Sequence, residues 1–501
     1  MNNLNYDVVI IGGGVVGNAI ARGLSRYELS VAVVEKEPDV GLETSCRNSG
    51  VLHSGIQYKA GTLRAKLAVR GNEIMGPICS ELKVKMNRIG KLTTAFYDDD
   101  LAGIDRLMAQ GIANGVPGLK VLNNDEMQKI QPGAEGIRSV WSPSSGIISP
   151  YALTIAFAEN ACTNGTKYFL NTKVTSMTKN PSGIFSIVTN KGQFKSKIVI
   201  NSAGLSSGNI SSMLGVYNGN HGESLKIWPC RGEYYVVDKR LNGYVKTLLY
   251  QVVGVKSAGI GVHLTPTVDG NILIGPTATY ISVEGPEDYK VTSDKLADLR
   301  SEGRKLLPTI EMRDFIRNFA GNRPKRTTPD EGGTADFVIE EANNVSGFIN
   351  LVGIESPGLT ASPAIAEMVR DIVAQHIELE EKKNFIAERA GFAGHFCDLQ
   401  PEEQERLVKE NPEYGEVFCR CEKITKKEIR DAIENNLGAR TLVSIKYRAR
   451  SGMGRCQGGF CTPRIIRMLR DEYGFQPEEY LLRESGSHLF CGNVREGDAK
   501  Q

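Results

Sequence analysis

Net charge is the first thing this sequence has little of. The 60 Lys and Arg residues are nearly balanced by 58 Asp and Glu, leaving +2 over 501 residues, so no broad basic field exists to attract nucleic acid. Long apolar runs are missing as well: the stretch from Val8 to Ala21 is interrupted by glycines and stops at Arg22, short of a membrane span. The opening residues, MNNLNYDVVI, lack the basic segment and small-residue cleavage site of a secretion signal. These absences lead us to expect a cytoplasmic protein, with association at a membrane surface or with other subunits left open. Ten cysteines are too few for a disulfide framework in so long a chain. Cys46, Cys79, Cys162, Cys230, Cys397 and Cys491 are scattered and are expected to be inert small apolar residues. Cys419, Cys421, Cys456 and Cys461 instead fall in two close pairs, a pattern that points to a site.

What the chain does have is glycine, 54 residues of it, and a length suited to two or three domains. Asp7-Val8-Val9-Ile10-Ile11 reads as a buried parallel strand followed at once by Gly12-Gly13-Gly14-Val15-Val16-Gly17, and Val16, Ala19, Ile20 and Leu24 then recur at helical spacing. In such a loop Gly12 permits a tight turn, Gly14 lets backbone amides reach a pyrophosphate, and Gly17 lets the helix pack against the strand. The phosphate belongs at the helix N-terminus, where unpaired N–H groups favour an anion. A second strand, Ser30 to Val34, leads to Glu35, the acid expected at a ribose hydroxyl. We expect Glu35 to be exposed, its single hydrogen bond contributing on the order of 1 kcal/mol.

Residues 44 to 72, TSCRNSGVLHSGIQYKAGTLRAKLAVRGN, decide between NAD and FAD. They resemble the flavin-contacting segment of the D-amino-acid oxidase-like superfamily, in the branch of glycerol-3-phosphate and L-2-hydroxyglutarate dehydrogenases. IVINSAG (198–204), GVHLTPTVDGNILIGP (261–276) and GFINLVGIESPGLTASPAIAEMV (347–369) resemble further motifs of that branch, in its order. The resemblance implies an α/β fold: a discontinuous Rossmann-type FAD-binding domain (about 1–90, 150–225 and 335–380) and an antiparallel-sheet substrate domain (about 91–149 and 226–334). It implies FAD contacts from Gly12, Gly14, Val15, Val16, Gly17, Glu35, Lys36, Thr44, Ser45, Asn48 and Ser49. Val174, Ala203, Gly204, Gly353, Gly358, Leu359 and Thr360 complete that set, the last helix placing its N-terminus by the flavin ring.

Beyond residue 380 we expect a charged linker (381–412), a small domain (413–480) and a tail (481–501). The small domain carries C-x-C at 419 and 421 and C-x4-C at 456 and 461. Four thiolates can hold zinc or iron–sulfur, and a C-x-C start suits a [2Fe–2S] rhomb better than a zinc knuckle. Thr425 to Glu428 reads as a capping box, Gly452, Gly454, Gly458 and Gly459 surround Cys456, and Thr462-Pro463 reads as the N-cap and first residue of the next helix. CRCEKITKKEI and SGMGRCQGGFCTPRI resemble a bacterioferritin-associated-ferredoxin-like [2Fe–2S] domain. The implied cofactors are FAD and a [2Fe–2S] cluster, which carries electrons singly toward a protein or quinone acceptor.

Oxidising a secondary alcohol needs a base, and an anionic substrate needs a cationic clamp. His53 is the base candidate and His263 the second, with an equal claim to bind the substrate anion. Arg323, Arg231 in PCRGEY and Tyr250 are the candidate substrate contacts, while Lys325 and Arg326 read as solvated loop charges. His221, His376, His395 and His488 read as solvated too. The resemblance implies oxidation of a small anionic hydroxy compound, first sn-glycerol 3-phosphate. L-2-hydroxyglutarate dehydrogenase or oxidase activity, and a non-enzymatic redox adaptor, are the alternatives.

Overall fold

The computed structural model describes residues 3–252, 261–282, 288–389, 394–484 and 486–492. The expected 481–501 tail therefore lies partly outside the described residues. Asn3–Ile11 is the central strand of an eight-stranded sheet. It runs parallel to Val31–Val34 on one side and Gly192–Asn201 on the other, and Lys167–Phe169 and Phe348–Val352 extend the parallel order outward. Val8, Val9, Ile10 and Ile11 are all buried because both faces are covered. Val8 and Ile10 meet the helices Val15–Leu24, Pro150–Thr163 and Gly358–Val373. Val9 and Ile11 meet an antiparallel layer made by Val174–Lys179, Phe185–Thr189 and the start of Gly192–Asn201.

A second, nine-stranded sheet is antiparallel except where Leu248–Gln251 runs parallel to Lys91–Ala95. Its longest pairing joins Trp228–Val237 to Phe315–Lys325, and His263–Pro266 with Ile272–Gly275 forms the hairpin legible in the sequence. This α/β arrangement with an antiparallel companion sheet agrees with the expected fold class. No helix among the described residues is long and apolar enough to cross a membrane.

The C-terminal unit has its own core, in which Ile429, Ile433, Ile445, Ile465 and Leu469 are buried among three helices. Thr425 and Glu428 form the capping box of Lys426–Ile433, with Glu428 Oε2 accepting the Thr425 N–H at 2.9 Å. The next expected cap is corrected. The last long helix begins at Cys461 with Phe460 as N-cap, so Thr462 and Pro463 lie inside its first turn. Arg448 fixes this unit to the flavin-side sheet through Asp39 and through Glu159 Oε1 at 2.9 Å. The segment before it does not hang free: Ile386 N–H donates to Asn164 and Arg389 pairs with Glu159. Two further expectations fail. Cys397 and Cys491 are exposed, and His395 is largely covered beside Glu428 at 3.1 Å.

Candidate active site and metal centre

Steric contacts shape the glycine loop. Gly12 has φ +105°, and a Cβ there would lie 2.6 Å from the Ser202 carbonyl. A Cβ on Gly17 would lie 2.1 Å from the Gly12 carbonyl, so only glycine lets the helix start this close to the strand end. Gly14 is the N-cap, and Val15 N–H donates to Ser45 Oγ at 2.9 Å. Glu35 is not the exposed acid we expected. It is buried, accepting the Gly13 N–H at 2.6 Å and the Glu37 N–H at 2.8 Å, and burial pushes its carboxyl up to about 7. Its first task is therefore to hold the loop.

All of these except Gly13 and Gly17 line one cavity of about 420 Å³. Lys36, Thr44, Asn48 and Ser49 line it from the adjoining segment, Val174, Ala203 and Gly204 from the antiparallel side, and Gly358 and Leu359 from the start of the helix Gly358–Val373. Gly353 and Thr360 stand outside the wall. Gly353, at φ +72°, leaves room for the Arg326 stem, and Thr360 Oγ1 accepts the His53 N–H at 3.0 Å. Two helix N-termini, at Val15 and Gly358, open on the cavity and offer N–H groups to an anion. Asn322 Oδ1 and His53 Nδ1, both on its wall, are buried without a partner among the described residues. Donors for phosphate at one end and unmatched polar atoms at the other fit a flavin dinucleotide.

His53 is 7% exposed, with Nε2 3.2 Å from Ser356 Oγ, which also lies 3.2 Å from the Tyr58 hydroxyl. Burial, with Lys91 and His263 adding to it, holds His53 well below the ordinary imidazole value. Arg323 lines the same cavity, lies 3.3 Å from the Thr277 carbonyl through both terminal nitrogens and 3.9 Å from Cys230 Sγ, and also interacts with the Tyr234 hydroxyl. Gly232 makes room for it, since a Cβ there would meet its guanidinium at 2.6 Å. Arg231, by contrast, is committed. It pairs with Asp288 at 2.8 Å and Glu233 at 3.2 Å and does not line the cavity.

His263 and Tyr250 also lie off the wall, stacked at 4.0 Å. The Gly261 carbonyl receives His263 Nδ1 at 2.9 Å, while His263 Nε2 and the Tyr250 hydroxyl are buried without partners among the described residues. Burial pulls His263 down to about 3, and because it does not line the cavity it is not placed to take a substrate proton. Sequence reasoning missed Lys91, which is 1% exposed, lies 4.9 Å from the Tyr250 ring and is pulled down to about 7 by burial. A lysine within the strand KLTTA, buried at every position, was the available signal. Lys325 is another correction: it is wholly buried and meets both Glu355 oxygens at 3.2 Å. Arg326 is held by the Ser224 and Asp336 carbonyls, each at 3.0 Å, rather than left in solvent.

A model of the FAD dependent oxidoreductase family matches residues 7–372. The chain belongs to that family. The BFD-like [2Fe-2S] binding domain matches residues 417–471. The oxidoreductase is 41% identical over 493 residues to a glycerol 3-phosphate dehydrogenase of Caloramator mitchellensis, covering 98% of this chain and 99% of that one. It is 30% identical to human mitochondrial L-2-hydroxyglutarate dehydrogenase, covering 75% of this chain and 90% of that one. Among solved structures, dithionite-reduced L-alpha-glycerophosphate oxidase from Mycoplasma pneumoniae with FAD bound matches with a TM-score of 0.70 at 29% identity, covering 77% of this chain and 98% of that one. FAD and a [2Fe–2S] cluster are the oxidoreductase's cofactors.

The cysteines fit such a cluster. Cys419 and Cys461, both buried, act on one another, as do Cys421 and Cys456, both exposed. Among the described residues no three potential ligands gather around one ion, whereas two thiols per iron is what a [2Fe–2S] rhomb requires. Cys419 is pulled down to about 6, first by Cys461 and then by the Gly452 and Glu422 N–H groups. The Phe460 and Gly458 N–H groups lower Cys456. Backbone donors aimed at sulfur are what a thiolate ligand needs.

Proposed function

We propose that the oxidoreductase is a dehydrogenase that oxidises the secondary alcohol of sn-glycerol 3-phosphate to dihydroxyacetone phosphate, with electrons leaving through the C-terminal domain to a protein or quinone acceptor. Bound FAD supplies the hydride acceptor and the cluster supplies one-electron transfer. The observation that carries this reading is the pairing of His53 with Arg323 on one cavity wall. His53, neutral at physiological pH, takes the hydroxyl proton at the nitrogen facing the substrate. Arg323, whose guanidinium forms no ion pair with a carboxylate among the described residues, meets the substrate's anionic group. Burial, with Lys91, His263 and Arg64 adding to it, keeps His53 unprotonated.

The preference for the phosphate substrate rests on the relative that spans nearly the whole chain, C-terminal domain included. The alternative, L-2-hydroxyglutarate, rests on relatives that cover about three quarters of it. We also propose the division into a discontinuous FAD domain, a substrate domain and an iron–sulfur domain, supported by the separate cores described above.

Arg323→Ala tests the clamp. It is expected to weaken binding of glycerol 3-phosphate by about 2–5 kcal/mol and to leave the poor substrate glycerol nearly unaffected. Equal losses for charged and neutral substrates remove Arg323 from that role.

A further inference from the structure

A second cavity, of about 200 Å³, lies where the C-terminal unit meets the rest of the molecule. It shares Arg47, Asn48 and Ser49 with the flavin cavity, and its far wall includes Met453 and Gln457, next to Cys456. Its charges are one-sided. Among the described lining residues, Arg47, Arg317, Lys446, Arg450 and Arg483 face a single carboxylate, Asp269.

That carboxylate is already taken. Asp269 accepts from Arg450 and from the Tyr151 hydroxyl, at 3.0 Å for the latter. Arg450 is further neutralised by Glu422 at 2.8 Å, and Arg483 lies 3.7 Å from Glu484. Three basic side chains remain. Arg47 donates to the Leu42 and Ala320 carbonyls at 3.3 and 3.1 Å, and Arg317 donates to Gln457 Oε1 at 2.9 Å. Lys446, pulled down to about 7 by burial and then by Arg317 and Arg450, has no acceptor for its amine among the described residues. Burial, with Arg47 adding to it, holds the Arg317 guanidinium below its ordinary value. Like charges gathered in a partly dehydrated cavity repel one another unless an anion joins them.

We propose that this cavity binds a small anion through a carboxylate or phosphate group, held by Arg317 and Lys446 with Arg47 at its inner end. The apolar remainder of the ligand lies against Phe319 and Val443. Arg317 and Lys446 come from different domains, so a bound anion ties the iron–sulfur unit to the flavin-binding body. The cysteine ligands do not remove the need for it. Cys461 acts on Lys446, whereas Arg47 and Arg317 belong to the body.

The inference does not depend on which alcohol is oxidised, and its test uses no turnover. Protein loaded with FAD and cluster is titrated calorimetrically with inorganic phosphate at constant ionic strength. Because phosphate also suits Arg323, Arg323→Ala is titrated alongside. The expected result is a saturable site that persists in Arg323→Ala and weakens at least tenfold in Lys446→Met and in Arg317→Leu, each checked for FAD and cluster by absorbance. No saturable binding in the wild-type protein, or equal binding in all four proteins, overturns the proposal. A change in cluster potential in Lys446→Met with phosphate binding intact also overturns it, because the cations would then serve the metal centre alone.

Discussion

His53 owes its proposed role to its neighbours. A free imidazole is half protonated at about pH 6.5, and a protonated imidazole cannot accept the substrate's proton. Burial, Lys91 and His263 hold His53 well below that value, so it stays available as the pH falls toward 6. Substrate-driven loss of flavin absorbance is therefore expected to keep its rate between about pH 6 and 8. A tenfold fall per unit below 6.5 would contradict this assignment. His53→Ala is expected to slow the same step by roughly 10²–10⁴-fold, with little change in affinity for a non-reacting analogue. At this scale the sequence was only partly legible. His53 and Arg323 stood in recognisable motifs. Lys91 and the Lys325–Glu355 pair did not, because a lysine in a strand or loop reads as solvent-facing until the covering element is known. Glu35 was found but misjudged, since its backbone partners at Gly13 and Glu37 belong to a folded loop.

At the level of elements, the first strand, glycine turn and helix were the most legible, because periodicity and glycine spacing both report local geometry. Gly17→Ala tests that unit. Its added methyl would meet the Gly12 carbonyl, a backbone group that cannot rotate away. We expect a stability loss of about 1–3 kcal/mol in urea unfolding of the apoprotein, together with loss of FAD on gel filtration. An unchanged midpoint with stoichiometric FAD would show that the helix can shift without cost. Elements defined by distant partners were harder to read. The parallel pairing of Leu248–Gln251 with Lys91–Ala95 joins strands far apart in sequence, and neither strand encodes its partner. The start of the last helix at Cys461 was likewise hidden, because Thr462-Pro463 imitates a cap.

Over the whole molecule, the presence of a separate thiol-bearing unit was legible from cysteine spacing, and its attachment was not. Arg448 reaches Asp39 and Glu159, and Tyr447 stacks on Tyr151 at 5.2 Å, contacts that no local pattern announces. That docking brings Met453 and Gln457, the latter next to Cys456, onto one cavity with Arg47, Asn48 and Ser49 of the flavin cavity's wall. The central claim is that one chain oxidises a phosphorylated alcohol and exports the electrons through its C-terminal domain. Anaerobic addition of sn-glycerol 3-phosphate, followed by absorbance in wild-type protein and in Cys419→Ser/Cys421→Ser, tests it most directly. The account predicts flavin bleaching in both proteins, with cluster reduction and transfer to an external one-electron acceptor in the wild type only. Wild-type protein that stays oxidised, or a double variant that reduces the acceptor as fast as the wild type, would contradict it.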